Sequence, residues 1–78
     1  MKKEIYNYTA IFEPAEEGGF VAYVPILPGC VTQGESFEET KEMVKRAIKG
    51  YLEVAKESGK SAPVESEEVV ISKVQVNT

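Results

Sequence analysis

The sequence predicts an α+β protein with the element order β-β-β-α-β, folded as one domain over residues 1–78. Three observations support this class. Short segments with alternating apolar residues are separated by glycine and proline, as in strands joined by turns. One long amphipathic segment follows with helical spacing, and a valine-rich segment comes after it. A chain of 78 residues leaves no room for a second domain of ordinary size.

The first strand is predicted over residues 5–12, in which strand-favouring tyrosine, threonine and isoleucine side chains alternate between two faces. A hairpin loop is predicted over residues 13–19. Pro14 has no N–H to donate and therefore disfavours further pairing, while Gly18 and Gly19 accept positive φ.

The second and third strands are predicted over residues 20–24 and 30–34. Between them two prolines bracket two large apolar residues, which is typical of a stiff turn that cannot lie inside a sheet. Because all the connections are short, an antiparallel meander is the simplest topology. The residues expected to shape these loops are Pro25, Pro28, Gly29 and Gly34.

A helix is predicted over residues 37–57. Ser36 and Glu39 have the spacing of a capping box at its start, and Gly59 is a typical stop signal just beyond its end. Apolar residues recur every three or four positions and define the face expected to be buried. That face comprises Phe37, Thr40, Val44, Ala47, Ile48, Tyr51, Leu52 and Ala55.

A fourth strand is predicted over residues 69–76, after a connecting loop at residues 60–68. A long helical crossover returns this strand parallel to the first, so the predicted sheet order is 3-2-1-4 with the helix on one face. Nothing in the chain covers the other face, which is therefore expected to meet a second protein surface. Residues predicted on that face are Ile5, Ile11, Val21 and Tyr23.

The composition excludes several classes of function. Nine basic residues against thirteen glutamates give a net charge of −4, which disfavours binding to nucleic acid phosphates. The chain has no histidine and a single cysteine, so no internal disulfide or cysteine-rich zinc site is expected. No apolar run approaches the roughly 20 residues of a membrane helix. We therefore expect a cytoplasmic protein without a cofactor or resident metal.

Glutamates of the first loop and of the helix start suggest two interpretations. If several converged on one point they could support metal-dependent hydrolysis. Loop glutamates and first-turn glutamates also have ready structural roles as a solvated acidic rim and as helix caps, and this second interpretation is favoured. Cys30 has no histidine to take its proton and is expected to be a small buried side chain.

The charge is unevenly distributed along the chain. The helical region carries six basic and five acidic residues, a balance of +1, whereas the remainder carries three lysines and eight glutamates, a balance of −5. An acidic loop side is suited to docking on a basic partner, because opposite charge speeds and orients encounter.

Three runs of residues carry a resemblance to a known family: Glu16-Glu17-Gly18-Gly19-Phe20-Val21-Ala22-Tyr23-Val24-Pro25, Leu27-Pro28-Gly29-Cys30-Val31-Thr32-Gln33-Gly34 and Ser36-Phe37-Glu38-Glu39. Nearly the whole chain resembles the HicB-like antitoxin family. The resemblance implies a degraded ribonuclease-H-like fold. It also implies that the protein neutralises a small, basic HicA-type toxin, which cleaves mRNA, by occluding its catalytic histidine.

The chain departs from that family in two respects. It has no DNA-binding segment after the fourth predicted strand, so direct binding to nucleic acid is not expected. Its first strand supplies no acidic residue for a ribonuclease-H-like metal site, so it is not expected to be an enzyme. A homodimer or higher oligomer is expected, and a small-molecule-binding or regulatory subunit is the alternative function. The residues predicted to contact the partner are Glu16, Glu17, Tyr23 and Glu35.

Overall fold

A computed structural model describes residues 6–65 and 69–78. It shows an antiparallel three-stranded sheet with neighbours in chain order, packed against one helix. The predicted α+β class, the meander of the first three strands and the helix bounds are confirmed. The elements are β1 (Ile11–Pro14), β2 (Phe20–Tyr23), β3 (Val31–Gly34) and α1 (Phe37–Glu57).

Strand β1 begins later than the predicted residue range 5–12, whose first residue lies outside the described part of the chain. Ile11 pairs with Tyr23, which is the last residue of β2, so residues 6–10 have no β2 residue opposite them. Pro14 was expected to lie in the loop but pairs with Phe20 at the end of β1. This placement is tolerated because β1 is an edge strand, where a missing N–H breaks no central ladder.

The predicted fourth strand at residues 69–76, the sheet order 3-2-1-4 and the ribonuclease-H-like arrangement are not confirmed. Described residues 69–78 contain no strand, and the sheet has the order β1-β2-β3. The apolar side chains of this segment are exposed rather than packed on the sheet. A valine-rich pattern favours an extended strand but does not supply the edge with which that strand must pair.

Side-chain hydrogen bonds tie the chain beyond the helix to the residues preceding β1. The Tyr8 hydroxyl donates to the Pro63 carbonyl oxygen at 2.7 Å. The Glu65 carboxylate accepts the Thr9 backbone N–H at 2.7 Å and the Thr9 hydroxyl at 2.5 Å. Burial, with the negative charge of Glu65 as a smaller cause, raises the pKa of Tyr8 above its usual value. The segment is therefore held beside residues 8 and 9 without a backbone ladder.

Helix α1 has the start that the sequence predicts. The Ser36 side-chain oxygen accepts the Glu39 backbone N–H at 3.1 Å, which satisfies one of the donors that a helix start leaves unpaired. The Glu39 carboxylate accepts the Glu35 backbone N–H at 3.0 Å, one residue earlier than in the standard capping box. At the other end Gly59 has φ of 70°, as a helix stop requires.

The core lies between the sheet and α1. Alternate residues of β2 point to the helix, so Ala22 and Val24 are buried. Aromatic packing closes the core at the helix start, where the Phe37 ring lies 4.7 Å from the Phe12 ring and 6.0 Å from the Phe20 ring, measured between centroids. The fully buried apolar cluster comprises Ala22, Val24, Leu27, Cys30 and Val44.

Candidate protein-binding surface

The sheet face opposite α1 is not covered by any described element, and we call it the open face. Because side chains alternate along each strand, the register sets them in two rows across the sheet. One row is apolar, and Val31 within it has 58% of its surface exposed. The other row has polar ends. The apolar row is Ile11, Tyr23 and Val31, and the mixed row is Glu13, Val21 and Gln33.

The β1–β2 loop lies against the chain that leaves β3. Gly19 has φ of 75°, and a Cβ atom built there would overlap the Gly34 carbonyl oxygen and come 2.9 Å from the Glu35 Cα. Only glycine permits this approach without displacing the neighbouring backbone. The contact brings the loop glutamates, Glu16 and Glu17, to the same end of the sheet as Glu35.

Gly34 fixes the start of α1 against β3. A Cβ atom on Gly34 would lie 2.5 Å from the Thr40 Oγ1 and 2.9 Å from the Thr40 backbone nitrogen. Thr40 is fully buried, and its hydroxyl donates to the Ser36 carbonyl oxygen at 2.6 Å. The first helical turn, with its exposed Glu38, is thereby held beside the loop. We call the group Glu16, Glu17, Glu35 and Glu38 the acidic end.

The four residues predicted to contact a partner do not lie in one cluster. Glu16, Glu17 and Glu35 are exposed at the acidic end. Tyr23 is half-buried on the open face, three residues along β2 from Phe20. At about 3.3 Å per residue this separation is roughly 10 Å. The mixed row therefore lies between the acidic end and the apolar row.

Three residues of the open face were predicted neither as partner contacts nor as members of that face. Glu13 and Gln33 are exposed in the row between the acidic end and Tyr23, and Val31 ends the apolar row. Alternation along β1 would have placed Glu13 on this face, had the first strand been extended beyond Phe12. Finding Val31 and Gln33 required the register of β3, which the sequence pattern does not give.

The β2–β3 turn lies at the other end of the sheet. Pro25, Pro28 and Gly29 are exposed there, and Gly29 has φ of 83°. The turn is held by the buried Leu27, whose N–H donates to the Val24 carbonyl oxygen at 3.0 Å. Gly34 lies at the acidic end instead, and the loop-shaping role of the four residues stays a prediction.

The candidate catalytic groups among the described residues are Cys30 and the glutamates. Cys30 is buried, and burial raises the pKa of its thiol, which disfavours the nucleophilic thiolate. Within residues 6–65 and 69–78, no three side chains of His, Cys, Asp or Glu come together as a metal site requires. Within the same residues, no helix is long and apolar enough to span a membrane.

These features define a small α+β protein in which an uncovered sheet face leads to a cluster of exposed glutamates. Residues 8–77 match the family described as HicB_like antitoxin of bacterial toxin-antitoxin system. The chain belongs to this family.

Relatives of the chain carry two kinds of name. UPF0150 protein ssr1765 of Synechocystis sp. is 35% identical over 74 residues, which cover 95% of this chain and 91% of the relative. UPF0150 protein Ta0767 of Thermoplasma acidophilum is 38% identical over 64 residues, covering 82% and 93%. Antitoxin HicB 1 of Photorhabdus laumondii is 35% identical over 58 residues, which cover 74% of this chain but 37% of that protein.

Proposed function

We propose that the chain is the antitoxin of a toxin-antitoxin pair and neutralises a small, basic, HicA-type mRNA-cleaving toxin by covering its active site. It acts in the cytoplasm, as a homodimer or larger assembly, without catalysis. The observation that carries this proposal is the position of the acidic end beside the open face, with one mixed row between it and the apolar row. Family membership supports a toxin partner of some kind.

The charge of this surface fits a ribonuclease. A protein that binds RNA presents lysine and arginine to the phosphates, so its active-site side is basic. Glu16, Glu17 and Glu35 would meet the positive charges that otherwise bind RNA. Glu13, on the open face of β1, adds a negative charge between the acidic end and Tyr23. Charge complementarity of this kind increases the association rate, while burial of apolar side chains supplies much of the affinity.

The Tyr23 row supplies the apolar part of the surface. Tyr23 lies between Ile11 and Val31 in the strand register and is half-buried. Tyrosine is enriched among the residues that dominate binding energy, because it combines a large apolar area with a polar end. We propose that Tyr23 supplies much of the binding energy and that the acidic end increases the rate of association.

The alternative function, binding of a small molecule, has weaker support. It requires an enclosed apolar pocket with a few convergent polar groups. A cavity of about 520 Å³ lies between α1 and the start of β3, but it is a partly open groove with mainly small and apolar lining.

The test begins with capture of the tagged chain from its own cells at low salt, followed by mass spectrometry of the proteins that co-elute. We expect a small, basic, histidine-containing protein in stoichiometric amount. The double variant Glu16→Lys with Glu17→Lys is then compared with the parent chain for its rate of association with that protein. We expect the association rate to fall at least about tenfold at low salt, and less at high salt.

The matched control is Glu42→Lys with Glu53→Lys, two exposed positions on the outer side of α1. Each pair replaces two glutamates by lysines and so changes the net charge from −4 to 0. An equal fall for both pairs would show a general charge effect and contradict steering by the acidic end. Capture of the chain alone would contradict the proposed partner.

A further inference from the structure

The groove between α1 and the start of β3 runs along the second half of the helix. Its lining residues on α1 recur every three or four positions, from Ala47 through Gly50 and Val54 to Ser58, the residue that follows the helix. Residues at this spacing lie on one side of a helix, so they form a continuous stripe. At 1.5 Å per residue the stripe is about 16 Å long.

Residues 60–63 form a further wall of the groove, and hydrogen bonds hold this segment at both ends. The Lys60 backbone N–H donates to the Ala55 carbonyl oxygen at 2.9 Å. The Pro63 carbonyl oxygen accepts the Tyr8 hydroxyl at 2.7 Å. The wall is thereby tied to the helix and to the residues preceding β1. The volume of about 520 Å³ lies within the range of about 300–1,000 Å³ that small-molecule sites have.

The lining of the groove is apolar along α1 and polar where the helix ends. Most of the side chains contributed by α1 and β3 are those of alanine and valine, whereas Ser58, Lys60 and Ser61 lie beyond the helix. A Cβ atom at Gly50 would meet nothing within 4 Å, so this glycine leaves space beside the helix. Among the described lining residues, Lys60 is the single charged one. The groove therefore combines an apolar length with a cationic end.

The positive charge of Lys60 is available to a ligand. Within the described part of the chain, no carboxylate lies within ion-pair distance of its ammonium group. The carbonyl oxygens at the end of α1 already have partners, because Val54 accepts the Ser58 N–H at 3.0 Å and Lys56 accepts the Gly59 N–H at 3.1 Å. The Lys60 ammonium is therefore the ionic group that the groove offers.

We propose that this groove binds a free straight-chain aliphatic carboxylate, with the alkyl chain along the α1 stripe and the carboxylate at Lys60. A single ammonium group matches a monoanion. A phosphate monoester carries a charge of about −1.5 to −2 at neutral pH and requires more donors than Lys60 supplies. A cationic amphiphile would be repelled by Lys60.

This ligand site is separate from the surface proposed to bind a toxin. The groove lies at the Val31 end of β3 and along the second half of α1, whereas the acidic end adjoins Gly34 and the first helical turn. A ligand in the groove therefore leaves the acidic end free. The inference does not rest on the proposed toxin, and either can fail without the other.

The test is isothermal titration calorimetry of the full chain with decanoate, decanol and decylamine, which share one alkyl chain and differ in charge. We expect decanoate to bind saturably, about two- to fivefold more tightly than decanol, as an exposed ion pair allows. Decylamine should bind most weakly. Failure of decanoate to saturate, or equal affinity for the three probes, would overturn the proposal.

Lys60→Glu reverses the charge at the end of the groove, so decylamine should then bind more tightly than decanoate. The matched control is Lys56→Glu, which makes the same change at an exposed lysine outside the groove lining and should keep the parent order of affinities. An equal effect of the two variants would overturn the assignment of the carboxylate to Lys60.

Gly50→Leu fills the apolar length and should weaken decanoate binding at least about tenfold, with circular dichroism to show that the helix is kept. Cys30, the single thiol of the chain, lines the groove and gives a second readout. Saturating decanoate should slow its alkylation by iodoacetamide in the parent chain and in Lys56→Glu. An alkylation rate that decanoate leaves unchanged would place the ligand elsewhere and overturn the proposal.

Discussion

Residues 11–57 and residues 69–78 carry equally clear apolar patterns, yet only the first region forms regular structure. In residues 11–57 each strand has a neighbour within a few residues, and α1 returns directly over the sheet. Residues 69–78 have the same alternation of β-branched residues, but their valines stay exposed. The comparison shows that alternation selects a conformation, while an available edge decides whether a strand forms.

The largest loss of stability should come from breaking the contact of Gly19 with Gly34 and Glu35. Gly19→Ala must hold a side chain at φ of 75° and overlap the Gly34 carbonyl oxygen. Left-handed backbone costs about 1–2 kcal/mol and overpacking about 1–3 kcal/mol, so the free energy of unfolding should fall by about 2–5 kcal/mol. Urea denaturation followed by circular dichroism measures this loss.

Gly18→Ala is the matched control, because Gly18 has φ of 99° but a Cβ atom there would meet nothing within 4 Å. Its free energy of unfolding should fall only by the cost of the left-handed backbone, about 1–2 kcal/mol. Equal destabilisation by the two variants would show that the approach of the loop to Gly34 and Glu35 contributes nothing to stability.

A smaller effect is expected where the chain beyond α1 is tied to the residues before β1. Glu65→Ala removes the carboxylate that accepts two hydrogen bonds from Thr9. Hydrogen bonds to a charged group contribute about 1.5–3 kcal/mol, so the free energy of unfolding should fall by an amount in this range. The rate of hydrogen exchange should increase at the Thr9 amide. The amides at the centre of α1 should keep the same relative protection from exchange.

Thr9→Val sharpens this test, because it removes the hydroxyl but keeps the backbone N–H that donates to Glu65. Its loss of stability should be smaller than that of Glu65→Ala. If both variants were as stable as the parent chain, the hydrogen bonds between Thr9 and Glu65 would contribute nothing to stability. The chain beyond α1 would then not be held beside residues 8 and 9.

Most of the ordered region could be predicted from the sequence, because its signals are local. Ser36, Glu39 and Gly59 mark the ends of α1, and the prolines mark the β2–β3 turn. The acidic end could be predicted only in part. The glutamates of the loop and of the helix start were recognised, but their approach depends on the contact of Gly19 with Gly34, two residues far apart in sequence.

The two end segments differ from prediction for the same physical reason. The pattern of residues 5–12 predicts a strand, whereas β2 ends at Tyr23 and leaves residues 6–10 without a β2 neighbour. The predicted fourth strand required that same unpaired part of the first strand as its partner. Strand pairing depends on residues that are far apart in sequence. The local pattern of either segment therefore could not show whether the other would pair with it.

The proposed neutralisation of a toxin is tested most directly by RNA cleavage by the captured partner while the full chain is titrated into the reaction. We expect cleavage to fall in proportion to the added chain and to stop at one chain per toxin. We also expect Tyr23→Ala to shift the titration to higher concentrations. Cleavage that continues when all the toxin is bound would contradict the proposal that the chain covers the active site.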